Sequence, residues 1–239
     1  MKTVFITGGS RGIGAEIVRT FSTAGYRVAF SYLQSTEAAE TLANETGAVC
    51  LPCDVADSTR VEAAYQNAFK LLGHVDALVV NAGISQQKLC TDITDADWQR
   101  MMNVNLSGAF YTARAALPSM VSRKSGSIVF VSSMWGQVGA SMEVHYSAAK
   151  AGMIGLARAL AKETALSGIR VNCVAPGAIQ TDMLTALPAG ASEALQDEIP
   201  LARIGHAHEV AESVLWLCSD ASSYVTGQVL GVNGGMVIG

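Results

Sequence analysis

Short runs of apolar and β-branched residues recur along the chain, TVFIT, RVAFS, AVCLP, DALVVN, SIVFVSS, IRVNCVAP and QVLGVNGG, separated by longer mixed stretches. Within each run the apolar character is continuous rather than alternating, so a strand built from it has both faces covered. The stretches between are long enough for crossover helices. The pattern therefore predicts an α/β fold, one domain over residues 1–239, with a doubly wound parallel sheet of about seven strands and helices on both faces. Ligands of such sheets bind beyond the carboxyl ends of the strands. Those ends carry Gly8, Ser31 and Tyr32, Asp54, Asn81, Ser133 and Pro176, so glycine and polar residues gather along one edge.

Two regions depart from this regular alternation. From 177 to 206 the pattern loosens into small residues with Pro188 and Pro200, which predicts a substrate lid directly after a strand end. The helical stretches 95 to 121 and 145 to 167 are apolar over more than one face, which in a surface helix implies burial against another subunit.

Length and composition narrow the classes. A chain of 239 residues suits one large α/β domain. Half of the residues are hydrophobic and mean hydropathy is +0.30. Yet every apolar run stops short of the ~18 residues of a membrane span, so no membrane partner is expected. The chain opens as a core strand, KTVFIT, rather than as an export signal, and a cytoplasmic location is expected. Five cysteines at 50, 53, 90, 173 and 218 form no disulfide framework, and the CLPC pair lacks the second pair or histidine that would complete a metal site. A net charge of −4 without a basic run argues against nucleic acid as a partner.

The first strand runs straight into TGGSRGIG, residues Gly8, Gly9, Ser10, Arg11, Gly12, Ile13 and Gly14 among them. Gly8 allows a tight exit from the strand, Gly12 lets backbone N–H groups approach a pyrophosphate, and Gly14 permits close packing of the following helix. The positive end of that helix adds to the attraction. This is a Rossmann-type nucleotide cradle. At the end of strand two, where an NAD site places Asp or Glu, the chain reads SYLQS. A carboxylate there would repel a 2′-phosphate. Its absence, with Arg11 able to reach that phosphate, points to NADP(H). Asp54, followed by Val55 after strand three, is placed to meet the adenine or to close a local turn.

Tyr146 and Lys150, in YSAAK, are four residues apart and share one face of a helix, and Ser133 lies thirteen residues upstream of the tyrosine. A phenol near pKa 10 is too weak an acid at neutral pH, and an ammonium a few ångströms away is expected to lower it. A polarised phenol beside a nucleotide pocket suggests hydride chemistry.

TGGSRGIG, CDV, NAG at 81 to 83, NVN around Asn105, the second serine of VSS, YSAAK, VAPG and VNGG together resemble the short-chain dehydrogenase/reductase family, in its order and spacing from end to end. The resemblance implies that Tyr146 gives and retakes a proton and that Lys150 lowers its pKa and binds the nicotinamide ribose. It also implies that Ser133 holds the substrate oxygen and that Asn105 anchors a water chain leading to Lys150. Asn81, Ala82 and Gly83 would support the nicotinamide, and Pro176, Gly177, Ile179 and Thr181 would close over its carboxamide. Met134, Trp135, Val138, Met142 and Met183 would line the substrate cleft. The family usually assembles as homotetramers.

Within the family, PGAIQTDM, IPLARIG and VNGGM resemble the 3-oxoacyl-[acyl-carrier-protein] reductases. That likeness implies a carrier-bound β-ketoacyl thioester as substrate and acyl carrier protein as partner. Of the two positions that would present basic residues to the acidic carrier, Lys124 and Ser167, one is basic. A narrower likeness, in SSMWGQVGASMEVHYSAAK with Trp135 and Glu143, is to the elongation factor P 5-aminopentanone reductases, whose ketone sits on a protein lysine and carries an amine. A carboxylate such as Glu143 at the cleft mouth suits that cation. It equally suits a helix start, where the dipole stabilises it. Both substrates stay open, ahead of a hydroxysteroid or sugar-alcohol dehydrogenase and a non-catalytic cofactor sensor.

Overall fold

The computed structural model describes residues 1–181 and 195–238. Met183 and the middle of the expected lid lie outside the described residues. Among those residues, seven strands pair in parallel: β1 (Thr3–Ile6), β2 (Arg27–Tyr32), β3 (Val49–Pro52), β4 (Ala77–Val80), β5 (Gly126–Val131), β6 (Ile169–Pro176) and β9 (Val229–Val232). Their order is β3-β2-β1-β4-β5-β6-β9. The chain winds outward from β1 through β2 to β3, then crosses back to place β4 on the other side of β1. Val4 pairs with Ala77 and Ile6 with Val79, so the segments leaving β1 and β4 start side by side. A nucleotide crevice belongs at this reversal of strand order.

The continuous apolar runs have a direct cause in the layers. Phe5, Leu78, Ile128, Phe130 and Val171 face α3 (Ser58–Leu72), α5 (Gly108–Arg123) and α7 (Val144–Thr164) in one core. Val4, Ile6, Phe30, Val79 and Val129 face α1 (Gly12–Thr23), α2 (Thr36–Thr46) and α8 (Ala207–Cys218) in the other. Neighbouring residues of one strand thus point into opposite cores, and neither face of the central strands β1 and β4 meets water. Alanines at 109, 113, 116, 157 and 161 let α5 and α7 approach the sheet closely. Truncating a side chain such as Phe130, fully buried, would cost ~3–5 kcal/mol.

Caps set the helix ends. Asp57 accepts hydrogen bonds from the N–H groups of Thr59 and Arg60 at 2.9 and 3.2 Å and starts α3, and Gly47 at φ 70° ends α2. Thr94 and Asp97 form a reciprocal capping box at the start of α4 (Asp95–Met102).

The stretch expected to be helical from 95 to 121 is helical throughout, with a π-helical turn, Asn103–Ser107, joining α4 to α5. The Asn105 side-chain amide donates to the Met101 carbonyl, the acceptor its own backbone N–H would use in an α-helix, at 3.1 Å. The backbone ladder accordingly widens by one residue.

The two ends of the loosened segment are tied together. β7 (Ile179–Gln180) pairs in parallel with β8 (Gly205–His206), Ile179 opposite Gly205. All five cysteines are free, and among the described residues no group of three or more His, Cys, Asp or Glu could hold a metal ion. No helix among them is long and apolar enough to cross a membrane.

Candidate active site

The glycine turn leaves β1 under close restraint. The Thr7 hydroxyl accepts from the N–H groups of Asn81 and Ala82 at 3.1 and 3.2 Å, while the Asn81 amide donates to the carbonyls of Thr7 and Gly8 at 3.1 and 3.0 Å. Asn81 and Ala82 therefore pin the strand exits together at the sheet's topological break. Gly8 has φ +68°, and a Cβ there would lie 2.8 Å from the Ala82 Cα. A Cβ on Gly14 would collide with the Gly8 carbonyl oxygen. Only bare backbone fits at either position.

Helix α1 begins at Gly12 with Arg11 as an exposed flanking residue that supplies no side-chain cap, and its first turn carries no acid. Its N-terminal N–H groups face an open cradle suited to an anion. Thr181 stands across from it, its Cγ2 3.5 Å from where a Gly12 side chain would begin. At the end of β2, the Ser31 hydroxyl is buried without a hydrogen-bond partner among the described residues. Val55 packs under Gly108, and one Asp54 oxygen accepts from the Ala56 N–H at 3.0 Å, which is the local turn. Gly177 donates its N–H to the Val232 carbonyl at 3.0 Å, and the Pro176 carbonyl accepts from Met134 at 2.9 Å, holding that segment at the same edge. These residues fit a dinucleotide: a phosphate cradle that side chains would fill, a free helix start and a basic residue beside it.

Next to the cradle lie Ser133, after β5, and Tyr146 and Lys150 on α7. Short helix α6 (Trp135–Val138) packs on α7 through Gly136, where a Cβ would lie 2.8 Å from the Lys150 carbonyl carbon. The Ser132 hydroxyl donates to the Lys150 carbonyl at 3.0 Å. Lys150 is 3% exposed, and its Nζ donates to the Val131 carbonyl at 2.9 Å and sits 5.7 Å from the Tyr146 ring centre. Gly83 lies between two predicted site residues: a Cβ there would be 2.6 Å from Asn105 Oδ1 and 3.5 Å from Lys150 Nζ. Asn105, fully buried, is held on both backbone groups of Ile84 at 3.2 and 3.0 Å and on the carbonyl and sulfur of Met101.

The expected acidification of the phenol is reversed in this pocket. Burial pushes Tyr146 up to about 12, the Ser133 hydroxyl pulls it back in part, and the Glu143 charge raises it further. Burial also lowers Lys150 to about 8. With both groups withdrawn from water, desolvation is the largest influence on each, and the resting state is a neutral phenol.

The substrate-facing expectations divide. Trp135 is half-buried, and Val138 and Met142 are exposed, so they offer surface. Met134 is buried and packs beneath that surface instead. Glu143 is 9% exposed, burial raises its pKa, and no described residue hydrogen-bonds its carboxylate or pairs with it. Sequence reasoning did not single out Thr7 or Ser132, although both stand inside quoted motifs. It also missed Gln86 and His145, whose contact at 2.9 Å no spacing rule announces.

A nucleotide cradle at the strand reversal beside a serine, a tyrosine and a buried lysine fits one class of protein: the chain belongs to the short-chain dehydrogenase/reductase family. It is an oxidoreductase acting on CH–OH and C=O groups with a nicotinamide cofactor. A family model described as enoyl-(acyl carrier protein) reductase matches residues 8–237. Among individual relatives, the chain is 40% identical over 240 residues to a 3-oxoacyl-[acyl-carrier-protein] reductase of Staphylococcus aureus, covering 98% of each chain. It is 42% identical over 234 residues to an acetoacetyl-CoA reductase of Synechocystis sp., covering 98% of this chain and 95% of the relative. An oxidoreductase of Bacillus subtilis, described as uncharacterized, is 40% identical over 237 residues with 98% of each chain covered.

Proposed function

We propose that the protein is an NADPH-dependent 3-oxoacyl-[acyl-carrier-protein] reductase. The observation that carries this reading is Lys150, buried beside Tyr146 at the strand edge onto which the glycine turn opens. The names of the relatives from Staphylococcus aureus and Synechocystis supply the thioester. NADPH supplies the hydride. Ser133 donates a hydrogen bond to the ketone oxygen, and Tyr146 delivers its proton to that oxygen as negative charge develops there. Lys150, held by the Val131 carbonyl, supports the phenolate left behind, and Asn105 fixes the backbone through which water reaches that lysine. Arg11, with no carboxylate at the end of β2, favours the 2′-phosphate.

Lys124 caps α5, and its carbonyl lies against Gly168, so it and Ser167 share one surface toward which an acidic carrier would be drawn. Exposed Trp98, Phe110, Leu166 and Tyr224 support a homotetramer, checked by light scattering, in the cytoplasm.

The test follows NADPH and NADH oxidation with an acetoacetyl thioester. We expect turnover with a preference for NADPH of about tenfold or more. Absence of turnover with either cofactor overturns the proposal.

One observation favours a second reading. Glu143, buried to 9% exposure with no partner for its carboxylate among the described residues, suits an amine-bearing ketone, such as one on a lysine of elongation factor P. The relatives' names lend this reading nothing. Faster reduction of ketone-modified elongation factor P than of the thioester, assayed in parallel, would establish it.

A further inference from the structure

Residues 84–88, which leave β4 at the cleft edge, carry a chain of polar contacts that the roles above do not use. Asp97 is its anchor. Its carboxylate takes Lys88 Nζ at 2.7 Å on Oδ2 and Gln86 Nε2 at 3.0 Å on Oδ1, and these donors with Thr94 hold it far below the usual carboxylate range. A carboxylate only accepts, so the nitrogen of Gln86 must face it. That leaves Gln86 Oε1 toward His145 Nε2, 2.9 Å away. His145 is fully buried and immediately precedes Tyr146.

The direction of donation fixes the imidazole. Gln86 Oε1 can only accept, so His145 carries its proton on Nε2, and Nδ1 is a bare lone pair. Nδ1 is buried with no partner among the described residues, so a proton added there would have no acceptor among them. Burial lowers the pKa of His145, Asp97 opposes that shift and Lys88 adds to it, while Glu143, Tyr146 and Lys150 are the titratable neighbours on its own helix. The ring is therefore held neutral as one tautomer.

The same run is fastened at two further points. The Lys88 N–H donates to the Met142 carbonyl at 2.7 Å, across from a residue in the left-handed region at φ 63°, and Ile84 binds Asn105 through both backbone groups. Helix α7 needs such fastening. Glu143, at its start, supplies no side-chain cap, so its first turn is held from the side.

We propose that Gln86 and His145, anchored by Asp97, are positioning residues that set the first turn of α7 and with it the Tyr146 phenol. This rests on Tyr146 being the proton donor. A buried ring with an orphaned acceptor is a costly way to fill space that an apolar side chain would fill more cheaply, whereas a directional chain admits one geometry.

The first measurement needs no variant: nitrogen NMR of His145 in the intact protein should show the Nε2–H tautomer, neutral at pH 7. An Nδ1–H tautomer or an imidazolium overturns the proposal. In Asp97→Asn, Gln86 is free to turn over and the tautomers should mix; a single unchanged tautomer there counts against it. Gln86→Leu should lower kcat for ketone reduction about tenfold while KM and NADPH affinity stay within about twofold. A kcat loss smaller than about threefold overturns the proposal. His145→Gln, which keeps a donor for Gln86, should recover more activity than His145→Leu. Near-normal turnover of Tyr146→Phe would instead remove the proton-donor reading, while the tautomer result would stand by itself.

Discussion

Gly83→Ala isolates the packing between Asn105 and Lys150. The added Cβ would sit 2.6 Å from Asn105 Oδ1, against an ordinary contact of about 3.4 Å, so roughly 0.8 Å must be found. The asparagine is poorly able to yield it. It is fully buried and holds both backbone groups of Ile84 and the Met101 carbonyl, all at 3.0 to 3.2 Å. Losing two such bonds at ~1 kcal/mol each, with a buried polar atom left behind, costs about 2–4 kcal/mol. In a domain of this size that lowers Tm by roughly 4–16 °C. Because Lys150 Nζ lies 3.5 Å from the same added carbon, kcat should fall with stability. The assay pairs thermal unfolding with NADPH-dependent ketone reduction. A Tm within about 1 °C of the parent and an unchanged kcat would show that the three residues are not packed as described.

Three further outcomes follow from the site. Tyr146→Phe should retain NADPH affinity while reduction falls by about 10² or more, measured by cofactor fluorescence and steady-state turnover. Lys150 has its folded pKa lowered to about 8 from 10.5, so the unfolded chain binds more protons between those values and stability should rise with pH across that window. Urea unfolding of Lys150→Met should lose that slope and, with the buried charge gone, match or exceed the parent's stability at pH 7 while NADPH binding and turnover both fall. Arg11→Ala should weaken NADPH about tenfold and leave NADH little changed, read from the two KM values.

The sheet was readable because each strand is apolar on both faces: Phe5 and Val4 belong to different cores, and that demand appears as an unbroken run. The glycine turn was readable because backbone alone fits at Gly8 and Gly14. Features set by long-range contact were not. The π-helical turn arises from the side chain of Asn105 competing for a carbonyl, inside a stretch whose periodicity reads as one helix. The neutral phenol reflects burial, which the four-residue spacing of Tyr146 and Lys150 does not report. Met134 keeps the apolar character of a cleft residue and is turned inward. Gln86 and His145 lie in segments 59 residues apart, and only the winding of the sheet brings them together.

The pairing of Ile179 with Gly205 and of Gln180 with His206 gives the segment between them two fixed feet. Replacement segments of other lengths and chemistries could be grafted between those feet while the seven-stranded sheet stays in place. New ketone specificities are therefore best sought there by engineers, with the two packed cores on either side of the sheet left alone: libraries confined to that segment should yield folded enzymes far more often than libraries aimed at the buried residues.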